Sequence, residues 1–140
     1  MKLKDKSILI KENSMLNDIV KDLTTSQKKL LLALIYNVLV SDQDYAEEEK
    51  YLFSNLIDFI NVDFDFNNDM LSKKEIISHM KPLENSIIEI FLDVVRLAIL
   101  ADGVISDEEI VFFKDVFTQM NYSDQEIQNK IDYLRFGNSL

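Results

Sequence analysis

Apolar side chains recur every three or four positions along most of the chain, which is the spacing of helices that bury one face. The run from Leu30 to Val40 is apolar on nearly every side, so it predicts a central, buried helix over about residues 25–41. A second amphipathic helix is predicted from about Ala46 to Phe59. The longest predicted helix runs from Leu83 to Ala101, and no segment has a convincing strand pattern.

Helix starts are marked by a serine or threonine followed three positions later by glutamate or glutamine. Such a capping box satisfies two of the backbone N–H groups that a helix leaves free at its start. The four pairs are Thr24 with Gln27, Ser72 with Glu75, Ser106 with Glu109, and Ser123 with Glu126. The segment 61–69 is predicted to be a polar, acidic loop. Together these patterns predict an all-α bundle of six or seven helices.

The sequence also repeats itself at a spacing of 60 residues, as in Asp42 and Asp102. Identical pairs within the two hairpins also include Leu32 with Leu92, Glu48 with Glu108, Glu49 with Glu109, Phe53 with Phe113, and Asn61 with Asn121. We interpret residues 1–140 as one domain that contains two helical hairpins, at about 28–61 and 86–121, related by an approximate two-fold axis. The residues predicted to lie between the two central helices are Leu34, Ile35, Val38, Val94, Val95 and Ala98.

Composition supports a helical protein and limits its partners. The 140 residues include two glycines, one proline and no cysteine, which disfavours a fold of many turns and excludes thiolate metal sites. The net charge is -10. Residues 41–69 hold nine acids and one lysine, a net charge of 1 - 9 = -8. Such a surface repels nucleic acid and suits cations or basic proteins. With no apolar run long enough for a signal peptide or a membrane span, a cytoplasmic location is expected.

The acids of the two repeated turns have two interpretations. Asp102, Glu108 and Glu109, with Asp42 and Glu48 as the counterpart, could place carboxylate oxygens around Ca²⁺ or Mg²⁺, which prefer oxygen ligands. Alternatively, carboxylates in the first turn of a helix complement its dipole and cap free N–H groups. The sequence leaves both interpretations open.

Two further features have weaker chemical meaning. The loop from Asp63 to Asp69 has oxygen-bearing residues at alternate positions, as a calcium-binding EF-hand does, but its twelfth position is Lys74 instead of a bidentate glutamate. We interpret it as a solvated loop, while Phe64 and Phe66 within it are either core residues or a partner contact. The single histidine, His79, has no companion that indicates catalysis.

The turn Ala101-Asp102-Gly103-Val104-Ile105-Ser106-Asp107-Glu108-Glu109 lies between a long apolar helix and an amphipathic one. Followed by Met120-Asn121-Tyr122-Ser123, it resembles the signature of the tellurite-resistance TerB-like family over roughly residues 28–135. The first copy departs from the pattern, because Gln43 stands where the second has Gly103. The resemblance implies an all-helical, non-enzymatic stress-response domain. It also implies association with divalent cations and with protein partners at the inner membrane face.

Two functional hypotheses follow. The first is a TerB-like domain that binds a divalent cation or a protein partner through its acidic turns. The second is an acidic interaction module, such as an adaptor or an immunity protein, that masks a basic partner without metal. Neither requires catalysis, and neither identifies the partner or the oligomeric state.

Overall fold

Helices account for most of the chain. The computed structural model describes residues 17–41, 47–102 and 105–137, without the side chains of residues 47–49 and 101–102. The helices are α1 (Thr25–Leu39), α2 (Glu47–Ile60), α3 (Phe66–Asp69), α4 (Lys73–Met80), α5 (Asn85–Asp102), α6 (Asp107–Gln119) and α7 (Asp124–Phe136). Residues 17–20 add one helical turn, and none of the described residues forms a strand. The predicted all-α fold is confirmed.

The four predicted capping boxes all form, at the starts of α1, α4, α6 and α7. At α6, for example, the backbone N–H of Glu109 donates to the Ser106 hydroxyl at 3.1 Å. In return, the backbone N–H of Ser106 donates to the Glu109 carboxylate at 2.8 Å. Each helix start is therefore determined by residues within one turn of it.

The segment 61–69, predicted as a loop, contains the one-turn helix α3. Asp65 caps this helix, since its carboxylate accepts from the backbone N–H of Asn67 at 2.9 Å. The Asp69 carboxylate accepts from the backbone N–H of Asp65 at 2.7 Å and so closes the turn. A helix of four residues is too short to show helical periodicity, which explains why the hydrophobic pattern missed it.

Backbone geometry repeats at the same 60-residue spacing as the sequence. The equivalent helix starts are Thr25 and Asn85 for α1 and α5, and Glu47 and Asp107 for α2 and α6. After α2 and α6, Asn61 and Asn121 adopt left-handed conformations with φ of 59° and 68°. Asparagine tolerates this conformation better than other residues with side chains, so both helices end with the same local chemistry. Superposition of the hairpins about a two-fold axis stays a prediction.

The core surrounds α1, which packs against α2, α3, α4 and α6, while α7 packs on α5 and α6. All six residues predicted between the central helices are buried: Leu34, Ile35, Val38, Val94, Val95 and Ala98. Ile35 and Val38 of α1 line one small internal cavity together with Val95 and Ala98 of α5. The two central helices therefore meet at this cavity.

A polar contact fixes α7 on α5. The Arg96 guanidinium donates from Nε to the backbone carbonyl of Tyr133 at 3.1 Å, and the Tyr133 hydroxyl donates to the Asp93 carboxylate. Burial, together with the hydrogen bond to Asp93, raises the pKa of Tyr133 to about 12. Gly137 ends α7 with φ 75°, and a Cβ atom there would lie 2.6 Å from Arg96 Nη2. The left-handed conformation thus favours glycine at this helix end, and a side chain there would also displace the Arg96 guanidinium.

Replacing Val95 with alanine should lower the free energy of unfolding by about 1–3 kcal/mol, because it removes buried methyl groups and enlarges the cavity between α1 and α5. Urea unfolding followed by circular dichroism measures the change. Val111→Ala is the matched control, since Val111 is 66% exposed on α6 and should change stability by less than about 0.5 kcal/mol. Equal effects of the two substitutions would contradict a central position for Val95.

Candidate functional site: the acidic turn and the acidic aromatic surface

The turn between α5 and α6 contains the predicted ligands of the second repeat. Helix α5 ends at Asp102, and α6 begins at Asp107 after its cap, Ser106. Three consecutive acids occupy the first turn of α6, where they complement the positive end of the helix dipole. Of these, Asp107 and Glu108 are exposed, whereas Glu109 is only 3% exposed.

Glu109 is directed inward as part of the helix cap. Its carboxylate accepts the Ser106 N–H and also lines the small cavity that Ile35 and Val95 share. Glu108, one position earlier, is turned by about 100° around the helix and lies in solvent. The two carboxylates therefore face different environments, and the structure supports a capping function for Glu109.

Other predicted ligands lie outside the described side chains. Asp42 is outside the described residues, and the side chains of Glu48 and Asp102 are also not described. Among the side chains that the structure does describe, no three from His, Asp or Glu form a group that could hold a metal ion. Binding of Ca²⁺ or Mg²⁺ at the turns stays a prediction.

The carboxylates of the loop 63–69 bind groups of the chain itself. Asp65 accepts from the side-chain amide of Asn68 at 2.6 Å as well as capping α3. Asp69 pairs with Lys29 at 3.3 Å. The backbone hydrogen bond from Asp65, with a further contribution from Lys29, holds the pKa of Asp69 below its usual range. These two carboxylates stabilise the one-turn helix.

An aromatic surface lies beside this loop, and we call Tyr36, Phe64 and Phe66 the Phe66 patch. The Phe66 ring packs edge-to-face against Phe64 and Tyr36, with centroids 5.4 and 5.9 Å apart. It also contacts Phe53, which is 1% exposed, at 5.6 Å. Phe66 nevertheless remains 50% exposed. One buried ring and two half-buried rings therefore hold one side of Phe66, while much of its surface faces solvent.

Phe64 and Phe66 were each predicted to be either a core residue or a partner contact, and the structure places them differently. Phe64 is half-buried and packs against the core, whereas Phe66 is exposed. Asp63 and Asp65, on either side of Phe64, are exposed as well. Sequence reasoning missed Tyr36 as a member of the patch, because its position in an apolar helix indicates only burial. Acidic and aromatic groups thus occur together at this surface.

An open groove of about 360 Å³ lies between the start of α1, the end of α3 and α4. Leu30, Leu71 and Leu83 form its apolar lining, and the ion pair between Lys29 and Asp69 lies at its edge. His79 also lines this groove and is exposed. Since the charged groups here neutralise each other, the groove differs from the uncompensated acidic surface near Phe66.

Comparison with protein-family models, with curated proteins and with solved structures finds no match to this chain. Among the residues that the structure describes, no helix is both long enough and apolar enough to cross a membrane.

Replacing Glu109 with alanine should lower the free energy of unfolding by about 1–3 kcal/mol, because the buried N–H of Ser106 loses its acceptor and the core gains a void. Glu108→Ala on the same helix turn is the matched control and should change stability by less than about 0.5 kcal/mol. Urea unfolding at neutral pH gives both values. Equal losses for the two variants would contradict the assignment of capping to Glu109 alone.

Proposed function

We propose that this chain is a non-catalytic, TerB-like helical domain that binds a basic partner protein through its exposed acidic residues. The observation that carries the proposal is that the three acids at the start of α6 lie in different environments. Glu109 caps the helix, whereas Asp107 and Glu108 face solvent. No lysine or arginine among the described residues pairs with Asp107 or Glu108. Their charges are available to a partner.

The overall distribution of charge agrees with a basic partner. The net charge is -10, and residues 41–69 alone account for -8. Within that range, Asp58, Asp63 and Asp65 are exposed. A field of one sign accelerates encounter with molecules of the opposite sign and repels those of the same sign. A basic protein surface is therefore favoured over nucleic acid.

The turn between α5 and α6 also supports a second candidate, a weak site for Ca²⁺ or Mg²⁺. Asp102 ends one helix and Glu108 lies in the first turn of the next. A divalent cation between two carboxylates would relieve their repulsion. Because Glu109 is committed to the cap, this site would hold fewer protein ligands than the sequence suggested, and we place it second.

Affinity capture from lysate of the native host tests partner binding. The wild-type chain should recover a basic protein, and the double variant Asp107→Asn, Glu108→Gln should recover markedly less, since it keeps the shape of the turn and removes two charges. Lys114→Gln, an exposed neutralisation on the same helix, is the control and should not reduce capture. Capture that does not respond to the acidic substitutions or to added salt would contradict the proposal.

Calorimetry separates the two candidates. If the acids serve only in capping and partner binding, titration of Ca²⁺ or Mg²⁺ should give no saturable heat, and the melting temperature should follow ionic strength alone. If the turn is a cation site, saturable binding should be present in the wild type and absent from the double variant Asp102→Asn, Glu108→Gln. In that case, the cation should also raise the wild-type melting temperature with its concentration. Saturable cation binding would make the cation site, and not the partner surface, the better supported function.

A further inference from the structure

One of the chain's own cations, Lys73, is held by a combination of an aromatic ring and a carboxylate. Lys73 Nζ lies 5.2 Å from the centroid of the Phe112 ring and also pairs with the Asp115 carboxylate. This contact joins α4 to α6 and lowers the pKa of Asp115 through its hydrogen bond from Lys73. A cation over an aromatic face is attracted by the electron density of the ring, and a neighbouring carboxylate adds a charge interaction.

The Phe66 patch presents the same two chemical groups to solvent. Phe66 is 50% exposed, and its ring is fixed by edge-to-face contacts with Phe53, Phe64 and Tyr36. Asp65 precedes it directly as the cap of α3. Among the described residues, no lysine or arginine lies over the Phe66 ring. The aromatic and acidic groups are thus in place, and the cation that would complete them is not supplied by the described part of the chain.

Rigidity makes this surface suitable for binding. Phe66 is held by three rings, so little side-chain freedom would be lost when a partner covers it. Aromatic residues fixed at the centre of a surface and bordered by polar groups are typical of the residues that dominate binding energy. Val111 and Phe136 are also strongly exposed, but among the described residues the Phe136 ring takes part in no ring contact, so neither residue forms a comparable aromatic surface.

The net charge of the chain indicates which kind of molecule would bind the Phe66 patch. A second copy of this chain would bring another net charge of -10 against the same surface, so self-association through the patch is opposed. A basic segment is attracted by the net charge of -8 over residues 41–69. Arginine suits the patch better than lysine, because its planar guanidinium stacks on aromatic faces and forms hydrogen bonds to carboxylates at the same time.

We propose that the Phe66 patch docks a basic segment of a partner protein, with an arginine guanidinium on the Phe66 ring and the exposed Asp63 as its charge partner. Apolar residues beside that arginine would cover Phe64. This inference depends on the proposed function, because it assigns to the same basic partner a second contact, in addition to the exposed acids at the start of α6.

The test uses the full chain and a short synthetic peptide in which arginine alternates with leucine. A matched peptide carries citrulline, the neutral analogue, in place of every arginine. With the isotope-labelled chain, the arginine peptide should shift the backbone amide resonances of Phe64, Asp65 and Phe66, and the citrulline peptide should shift them far less. Shifts confined to the starts of α6 and α7, without shifts at Phe64 to Phe66, would overturn the proposed location.

Substitutions measure the contribution of each group. Phe66→Leu keeps an apolar side chain but removes the aromatic face. It should lower the affinity of the chain for the arginine peptide at least about fivefold. Val111→Ala is the control for an exposed apolar residue and should leave the affinity unchanged. Asp63→Asn should weaken binding more than Asp124→Asn, which removes the same charge from the exposed start of α7. Circular dichroism and thermal melting verify that each variant is folded.

The possible outcomes separate this inference from the broader proposal. If the arginine peptide binds the wild type and Phe66→Leu equally well, the patch is not the docking site, although the chain still binds basic segments. If neither the chain nor its variants distinguish arginine from citrulline, both proposals are wrong. If sedimentation shows a wild-type dimer that Phe66→Leu dissociates, the occupant is a second copy of the chain, and the basic-partner inference is overturned.

Discussion

Burial of α1 is the constraint on which the arrangement of the other helices depends. Eight of its 15 residues are buried, and they face several directions around the helix axis: Leu30, Leu31, Leu32, Ala33, Leu34, Ile35, Val38 and Leu39. A helix that is apolar nearly all round is stable only when neighbours cover it on most sides. Helices α2, α3, α4 and α6 provide that cover. Charged groups are consequently confined to helix starts, to loops and to the outer faces of the covering helices.

The same carboxylates can serve folding or function, and burial distinguishes the two uses. Glu75, Glu109 and Glu126 occupy equivalent positions in three capping boxes. Backbone hydrogen bonds from the capping serines hold the pKa of Glu75 and of Glu126 below the usual range. Such acids would become weaker caps if they bound a cation or a partner. The exposed acids that cap nothing, such as Glu108, can bind a partner without loss of helix stability.

Local features of the fold could be predicted from sequence, and long-range features could not. The capping boxes and the buried α1 depend on residues within a few positions of one another, so their patterns are visible in the chain. The contact of Tyr133 with Asp93 joins residues 40 positions apart, and nothing in either helix indicates it. The candidate site likewise has one feature that could be predicted from sequence and one that could not. The capping role of Glu109 was one of two interpretations, whereas the exposure of Phe66 depends on how α3 packs against Tyr36 and Phe53.

The distribution of cations explains why one part of the surface remains strongly acidic. Several of the basic side chains contact groups within the chain itself: Lys29 with Asp69, Lys73 with Asp115 and Phe112, Arg96 with Tyr133, and Lys130 with Tyr122. These contacts join α1 to α3, α4 to α6 and α5 to α7. Residues 41–69, by contrast, contain Lys50 as their single base against nine acids. Like charges held together by a fold repel one another, and a basic partner relieves that repulsion when it binds. This repulsion slightly lowers the stability of the isolated domain, and the proposed basic partner would offset it.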